Sequence, residues 1–272
     1  MLKNRIILLV SAIVLVAIIF SLPRVVVDND PKKMDESEAG RNHDEVPDAH
    51  LETLDPSGVE KANTLKENLR GAENVEKSII FADSLAKLYL SVNKYDSAAK
   101  FIEIIAEKVP SETNWFRAGS AYYDAYGFAM DDAKQEELGK KARFYFEKVL
   151  EQSPKNLDAK NKLAMTYLTT SNPMQGIMML REILESDPNN EQAMFNLGML
   201  SMQSGQYDKA VERFKKLTEL YPNNTQAQFF LGVSYKETGN KEKAKEQFEL
   251  VKTLDSDPSV QATADSYLKE IE

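Results

Sequence analysis

Residues 191–258 contain two consecutive units of 34 residues, EQAMFNLGMLSMQSGQYDKAVERFKKLTELYPNN and TQAQFFLGVSYKETGNKEKAKEQFELVKTLDSDP. Aligning the two units places Gly198 on Gly232, Ala210 on Ala244, and Phe214 on Phe248. Apolar residues recur at helical spacing in both, and a short turn signal, SG or TGN, lies near the middle of each unit. Each unit is therefore predicted to be a pair of α-helices.

The same pattern recurs upstream. A small residue is followed by a bulky apolar residue four positions later and by Pro, or Ser in the last unit, twelve positions later. Small residues allow two helices to cross closely, and proline ends the second helix. One pair cannot bury its apolar face alone, so the pairs must stack. The small residues are Ala98, Ala142, Gly176, Ala210 and Ala244, at steps of 44, 34, 34 and 34.

Residues 115–122, WFRAGSAY, resemble the first half of the tetratricopeptide repeat, whose pattern is W-x-x-L-G-x-x-Y, then A-x-x-x-F, then P. Residues 194–201 and 228–235 match it with substitutions. The third repeat departs from the pattern, with Ala164 where glycine is usual and Gly176 where alanine is usual. The resemblance implies an all-α solenoid of five helix-turn-helix repeats over 79–258, with capping helices over 57–78 and 259–272. The repeats are predicted to begin near Ile79, Glu112, Leu157, Glu191 and Thr225.

In this family, positions five, nine and twelve of each repeat face a groove lined by the first helices. The resemblance therefore implies that repeats three to five bind a partner polypeptide through an apolar groove. Methionine makes adaptable contacts that suit varied apolar ligands. Alternatively, these side chains pack on the neighbouring repeat or the terminal helix and belong to the core. The predicted groove residues are Asn161, Met165, Leu168, Phe195, Met199, Met202, Phe229, Val233 and Lys236.

The second repeat carries about 11 extra residues between Tyr122 and Lys140. They include Asp131, Asp132, Glu136 and Glu137, which could be interpreted as a metal cluster. Calcium loops need oxygens at alternating positions with a glycine at the turn, and Ala133 and Lys134, which lie between these carboxylates, do not supply that pattern. An extended helix hairpin with a charged outer face, which a partner could recognise as an edge, is favoured. The carboxylate clamp that some family members use for acidic C-termini is not expected either, because its lysine and asparagine positions are not reproduced.

The N-terminus predicts a membrane anchor. Residues 6–23 form an uncharged, largely apolar run that is long enough to cross a bilayer as a helix. Lys3 and Arg5 precede it, so residues 1–5 are predicted to be cytoplasmic and the repeats periplasmic. The alternative, a cleaved secretory signal, would need a small-x-small cleavage site, and none follows the run. Residues 24–56 are predicted to be a flexible acidic tether, since ten acidic residues lie between Asp28 and Pro56.

The composition excludes several chemistries. The formal net charge is -9, there is no cysteine, and the two histidines, His43 and His50, both lie in the acidic tether. From Ser57 onward the chain therefore has no side chain for a thiolate nucleophile, a Ser-His-Asp triad or a histidine-ligated metal. The acidic balance argues against a nucleic-acid partner. No cofactor and no enzymatic activity are predicted.

The sequence therefore predicts a membrane-anchored interaction module of the bacterial inner membrane. It would act as a scaffold or a chaperone-like adaptor at a secretion or assembly complex and bind apolar or amphipathic segments. An alternative is an import-receptor-like protein whose repeats face the cytosol. A more distant alternative is an enzyme that uses only carboxylates or a metal.

Overall fold

The computed structural model describes residues 54–271, and this part of the chain is all-α. The predicted segments 1–5, 6–23 and most of the tether lie outside the described residues. Among residues 54–271, no helix combines the length and apolarity needed to cross a membrane. The helices of the described part are α1 (Pro56–Arg70), α2 (Val75–Leu90), α3 (Tyr95–Lys108), α4 (Glu112–Gly127), α5 (Asp132–Gln152), α6 (Leu157–Tyr167), α7 (Pro173–Ser186), α8 (Glu191–Gln203), α9 (Tyr207–Leu220), α10 (Thr225–Glu237), α11 (Lys241–Leu254) and α12 (Pro258–Ile271).

The helices form antiparallel pairs that pack in chain order. Each helix contacts the next, and the first helices α4, α6, α8 and α10 also contact one another in sequence. Most first helices begin at a side-chain cap: Asn74, Asn156, Asn190 and Asn224 each accept a hydrogen bond from a backbone N–H three residues later. The predicted all-α stack of helix pairs is confirmed.

The structure divides the N-terminal region differently from the sequence. The capping helix predicted over 57–78 ends at Arg70, because Gly71 caps it and residues 71–74 form a turn. The first helix of the first pair begins at Val75 instead of near Ile79, since Asn74 caps it there. The extra residues of the second repeat lengthen α5 to 21 residues. Buried Arg143 connects this helix to α6, because its Nη1 donates a hydrogen bond to the Thr166 carbonyl oxygen at 2.9 Å.

Three glycines show why small residues recur at the same position of successive repeats. A Cβ added at Gly119, Gly198 or Gly232 would lie 2.8, 2.7 or 3.0 Å from a ring carbon of the phenylalanine in the second helix of its pair. These phenylalanines, Phe146, Phe214 and Phe248, are fully buried. A side chain on the first helix would push the ring out of the space it fills.

The third pair reaches the same close approach by another route. Its second helix carries Leu180 in place of phenylalanine, and the glycine lies on that helix as Gly176. A Cβ added at Gly176 would lie 2.3 Å from the backbone carbonyl oxygen of Ala164. Because leucine is smaller than phenylalanine, the two backbones can approach closely. Glycine at 176 and alanine at 164, the reverse of the usual order, are therefore explained by the packing of this pair.

A polar network joins the first two pairs. The Glu103 carboxylate in α3 accepts hydrogen bonds from the hydroxyls of Tyr122 (2.5 Å) and Tyr145 (3.0 Å) and from Lys141 Nζ (2.7 Å). Burial raises the pKa of Glu103, but these three hydrogen bonds outweigh burial and lower it below its usual value. Burial, together with the Glu103 charge, raises the pKa of both tyrosines, so they stay neutral donors.

Candidate partner-binding site

Asn161, a polar residue of the predicted groove, makes structural contacts. It is 2% exposed. Its Oδ1 accepts a hydrogen bond from Asn196 Nδ2 at 2.7 Å, and its Nδ2 donates to Gln192 Oε1 at 3.2 Å. Both partners lie on α8, so Asn161 connects the first helices of neighbouring pairs.

The two predicted groove phenylalanines belong to an aromatic cluster. Phe195 packs edge-on against Phe214 and Phe230, with ring centroids 5.8 and 5.7 Å apart. Phe229 packs against Phe248 at 5.6 Å and against Tyr267 of α12 at 5.2 Å. Their rings therefore connect helices of the stack while remaining partly exposed.

The terminal helix α12 covers the groove face of the last pair. Lys236 forms an ion pair with Glu270, and its ammonium group lies 5.0 Å from the centre of the Tyr267 ring. Val233 is only 9% exposed. The remaining groove residues, Met165, Leu168, Met199 and Met202, are all partly buried. Contact between a partner and any of the nine groove residues stays a prediction.

A cavity of about 370 Å³ lies between α2, α3 and α4, at the junction of the first and second pairs. Leu90, Phe116 and Ser120 line it and hold the repeat positions that face the groove in the resemblance. The cavity thus lies on the same set of helix faces as the predicted groove, two repeats closer to the N-terminus. Its other lining residues are Tyr95, Ile102, Thr113, Arg117, Ala121 and Asp124.

Most charged groups beside the cavity are already paired. Asp83 bonds Lys87 Nζ at 2.7 Å and also pairs with Arg117. Lys162 donates to Ser120 Oγ at 3.1 Å, and its ammonium group lies 5.4 Å from the centre of the Phe116 ring. These cations are held in place by the protein itself.

Asp124 differs from these groups. Among residues 54–271, no lysine or arginine nitrogen lies within 4.0 Å of its carboxylate oxygens. Partial burial of the carboxyl group raises the pKa of Asp124, and the nearby charge of Lys162 only opposes that rise. The cavity rim therefore holds an exposed carboxylate on which Lys162 acts without forming an ion pair.

Exposed apolar residues extend the cavity mouth. Phe128, which is 66% exposed, follows α4 and stacks on Tyr95 with ring centroids 4.3 Å apart. Met130, in the same turn, is 85% exposed, and Leu90 is 41% exposed. Isolated exposed apolar residues are ordinary, but a cavity continuous with an exposed aromatic shelf is typical of an interaction surface.

A protein-family comparison identifies the repeats. The tetratricopeptide repeat model matches residues 172–228 and 201–264. These residues form tetratricopeptide repeats. The recurring small residues and the pairing of helices continue the same repeat pattern towards the N-terminus as far as α2. No curated protein sequence matches the chain significantly.

Several solved structures resemble the chain, with TM-scores below 0.5. The MamA protein shares 16% identity over 68% of this chain and 95% of its own, with a TM-score of 0.47. MamA 41-end from Desulfovibrio magneticus RS-1 shares 18% over 65% and 94%, at 0.48. YrrB, described as a TPR protein with an unusual peptide-binding site, shares 25% over 75% and 99%, at 0.44.

Proposed function

We propose that this chain is a membrane-anchored interaction module that holds an apolar or amphipathic segment of a partner polypeptide against the first helices of its tetratricopeptide repeats. Repeats of this kind are protein-binding modules, and their stacked helices form extended binding surfaces.

The observation that carries the proposal is the cavity between α2, α3 and α4. It has space for at least one large side chain, and its lining is mostly apolar with a few polar groups at the rim. The groove face of the last pair, by contrast, is already covered by α12, which contacts Phe229 and Lys236. A partner segment therefore finds unfilled space at the first two repeats, and from there it can continue towards Met165 and Met199.

The anchor and the compartment are proposed from the sequence. The apolar run 6–23 and the positive charge before it support one membrane span with the repeats on the periplasmic side. The acidic tether 24–56 would then allow the repeats to reach a secretion or assembly complex. Protease added to intact spheroplasts should cleave the repeats if they are periplasmic. Cleavage only after lysis would favour the cytosol-facing alternative.

Crosslinking in cells tests the binding role. Thr113 lines the cavity and is exposed, so Thr113→Trp would place an indole at the cavity and block it while keeping the fold. We expect this variant to lose capture of the partner that the unmodified chain crosslinks. Glu246→Gln, on exposed α11 surface, serves as the matched control and should capture normally. Phe195→Ala, Phe229→Ala and Met199→Ala test the groove predicted from sequence. Capture that survives all four substitutions in folded protein would remove the helix-lined face as the binding site.

A further inference from the structure

The floor and the rim of the cavity favour different side chains of a bound segment. Tyr95, Ile102 and Phe116 make the floor apolar, so a large aliphatic or aromatic side chain would fill it. The stacked ring of Phe128 extends this apolar surface past the mouth. The next residue of a bound segment would therefore lie at the rim.

The cations at the rim already have partners. Lys87 and Arg117 are both engaged by Asp83, and Lys162 is engaged by Ser120 and by aromatic rings. An incoming carboxylate would have to compete with those partners. An incoming cation meets Asp124, which lines the cavity, is exposed to solvent and has no ion-pair partner within 4.0 Å among the described residues. A cation bound beside Asp124 would therefore gain an ion pair without displacing one of these partners.

We propose that Asp124 selects partner segments in which a lysine or arginine adjoins the apolar side chain that enters the cavity. This inference rests on the proposed function and specifies the partner's chemistry. The long stem of a lysine or arginine can lie over the aromatic shelf of Tyr95 and Phe128 while its charged group reaches the rim. Selection by sign of charge would supply specificity that an apolar cavity alone lacks.

Fluorescence anisotropy with three defined peptides tests the inference. The full chain is held in nanodiscs of zwitterionic lipid, with empty nanodiscs as the blank. The probes are a fluorescein-labelled peptide with lysine beside each leucine and two counterparts with glutamine or glutamate in place of lysine. We expect the lysine peptide to bind about five- to tenfold more tightly than the glutamine peptide, as one partly exposed charge pair allows.

Three variants separate the inference from the proposed function. Asp124→Asn should bring the affinity for the lysine peptide down to that for the glutamine peptide, while Glu246→Gln, which removes the same charge elsewhere, should keep the preference. If Asp124→Asn retains the preference, the inference is overturned although the binding role stands. If Thr113→Trp, with an unchanged circular dichroism spectrum, binds all peptides as the unmodified chain does, the cavity is not the site, and both proposals fail there.

Discussion

Replacing Gly176 with alanine tests the packing of the third pair. In the structure, the added Cβ would lie 2.3 Å from the carbonyl oxygen of Ala164, and 3.0 Å from the Leu168 side chain. The first contact is with backbone, so no rotamer change can relieve it. Helices α6 and α7 must move apart by about 1 Å to restore an ordinary contact distance of at least 3.4 Å.

Two opposing terms set the magnitude. Alanine is favoured over glycine inside a helix by about 1 kcal/mol. Overpacking a tight contact costs about 1–3 kcal/mol, and occasionally more. Since the clash is with backbone, and moving α7 also disturbs buried Leu180 and Ile183, the cost should lie at the upper end. The free energy of unfolding is therefore expected to fall by about 2 kcal/mol.

Urea unfolding of the full chain, followed by far-ultraviolet circular dichroism, measures this change. Gly127→Ala is the matched control, because a Cβ there meets no atom within 4 Å. The control should unfold at the same or a higher urea concentration than the unmodified chain. A Gly176→Ala midpoint equal to that of the control would show that α6 and α7 do not approach as described.

Two further substitutions test contacts elsewhere in the stack. Glu103→Gln weakens the hydrogen bonds from Tyr122 and Tyr145 and should cost about 1–2 kcal/mol at pH 7 in urea unfolding. Because the folded pKa of Glu103 is lowered from 4.5, its contribution is present above pH 4.5 and is lost as pH falls below that value. The difference between this variant and the unmodified chain should therefore shrink in acid, and a constant difference would contradict the network. Tyr267→Ala removes the contacts with Phe229 and Phe248 and should cost about 2 kcal/mol, with faster amide hydrogen exchange in α12; unchanged exchange would mean that α12 is held by other contacts.

The helix pairs can be predicted because one local rule repeats. Helical periodicity, small crossing residues and proline stops all have short-range causes, so Gly198 with Phe214 is enough to predict one pair. The third pair also shows the limit of such a rule. Gly176 stands out in the sequence as a departure, but its cause, the smaller Leu180 and a direct backbone approach, depends on packing across the pair.

The candidate site is harder to predict because exposure depends on what lies next to each residue. Repeat position places Asn161 and Phe229 in the groove, yet one bonds to α8 and the other packs on Tyr267. The sequence left packing on the terminal helix open as an alternative, and only the structure shows that Lys236 pairs with Glu270 of α12. The cavity could not be predicted either, because its lining residues Leu90 and Phe116 resemble ordinary core residues in the sequence. The one sequence signal for it is the pair of apolar residues Phe128 and Met130 in the turn of the insertion.

Amide hydrogen exchange of the full chain, with and without the lysine-leucine peptide, tests the central claim most directly. Binding in the cavity should slow exchange in α4 and in the last turn of α2, and leave α11 unchanged. Asp124→Asn should lose most of that protection at the same peptide concentration. Protection confined to α8 and α10, with none in α4, would place the partner on the groove predicted from sequence and contradict binding in the cavity between α2, α3 and α4.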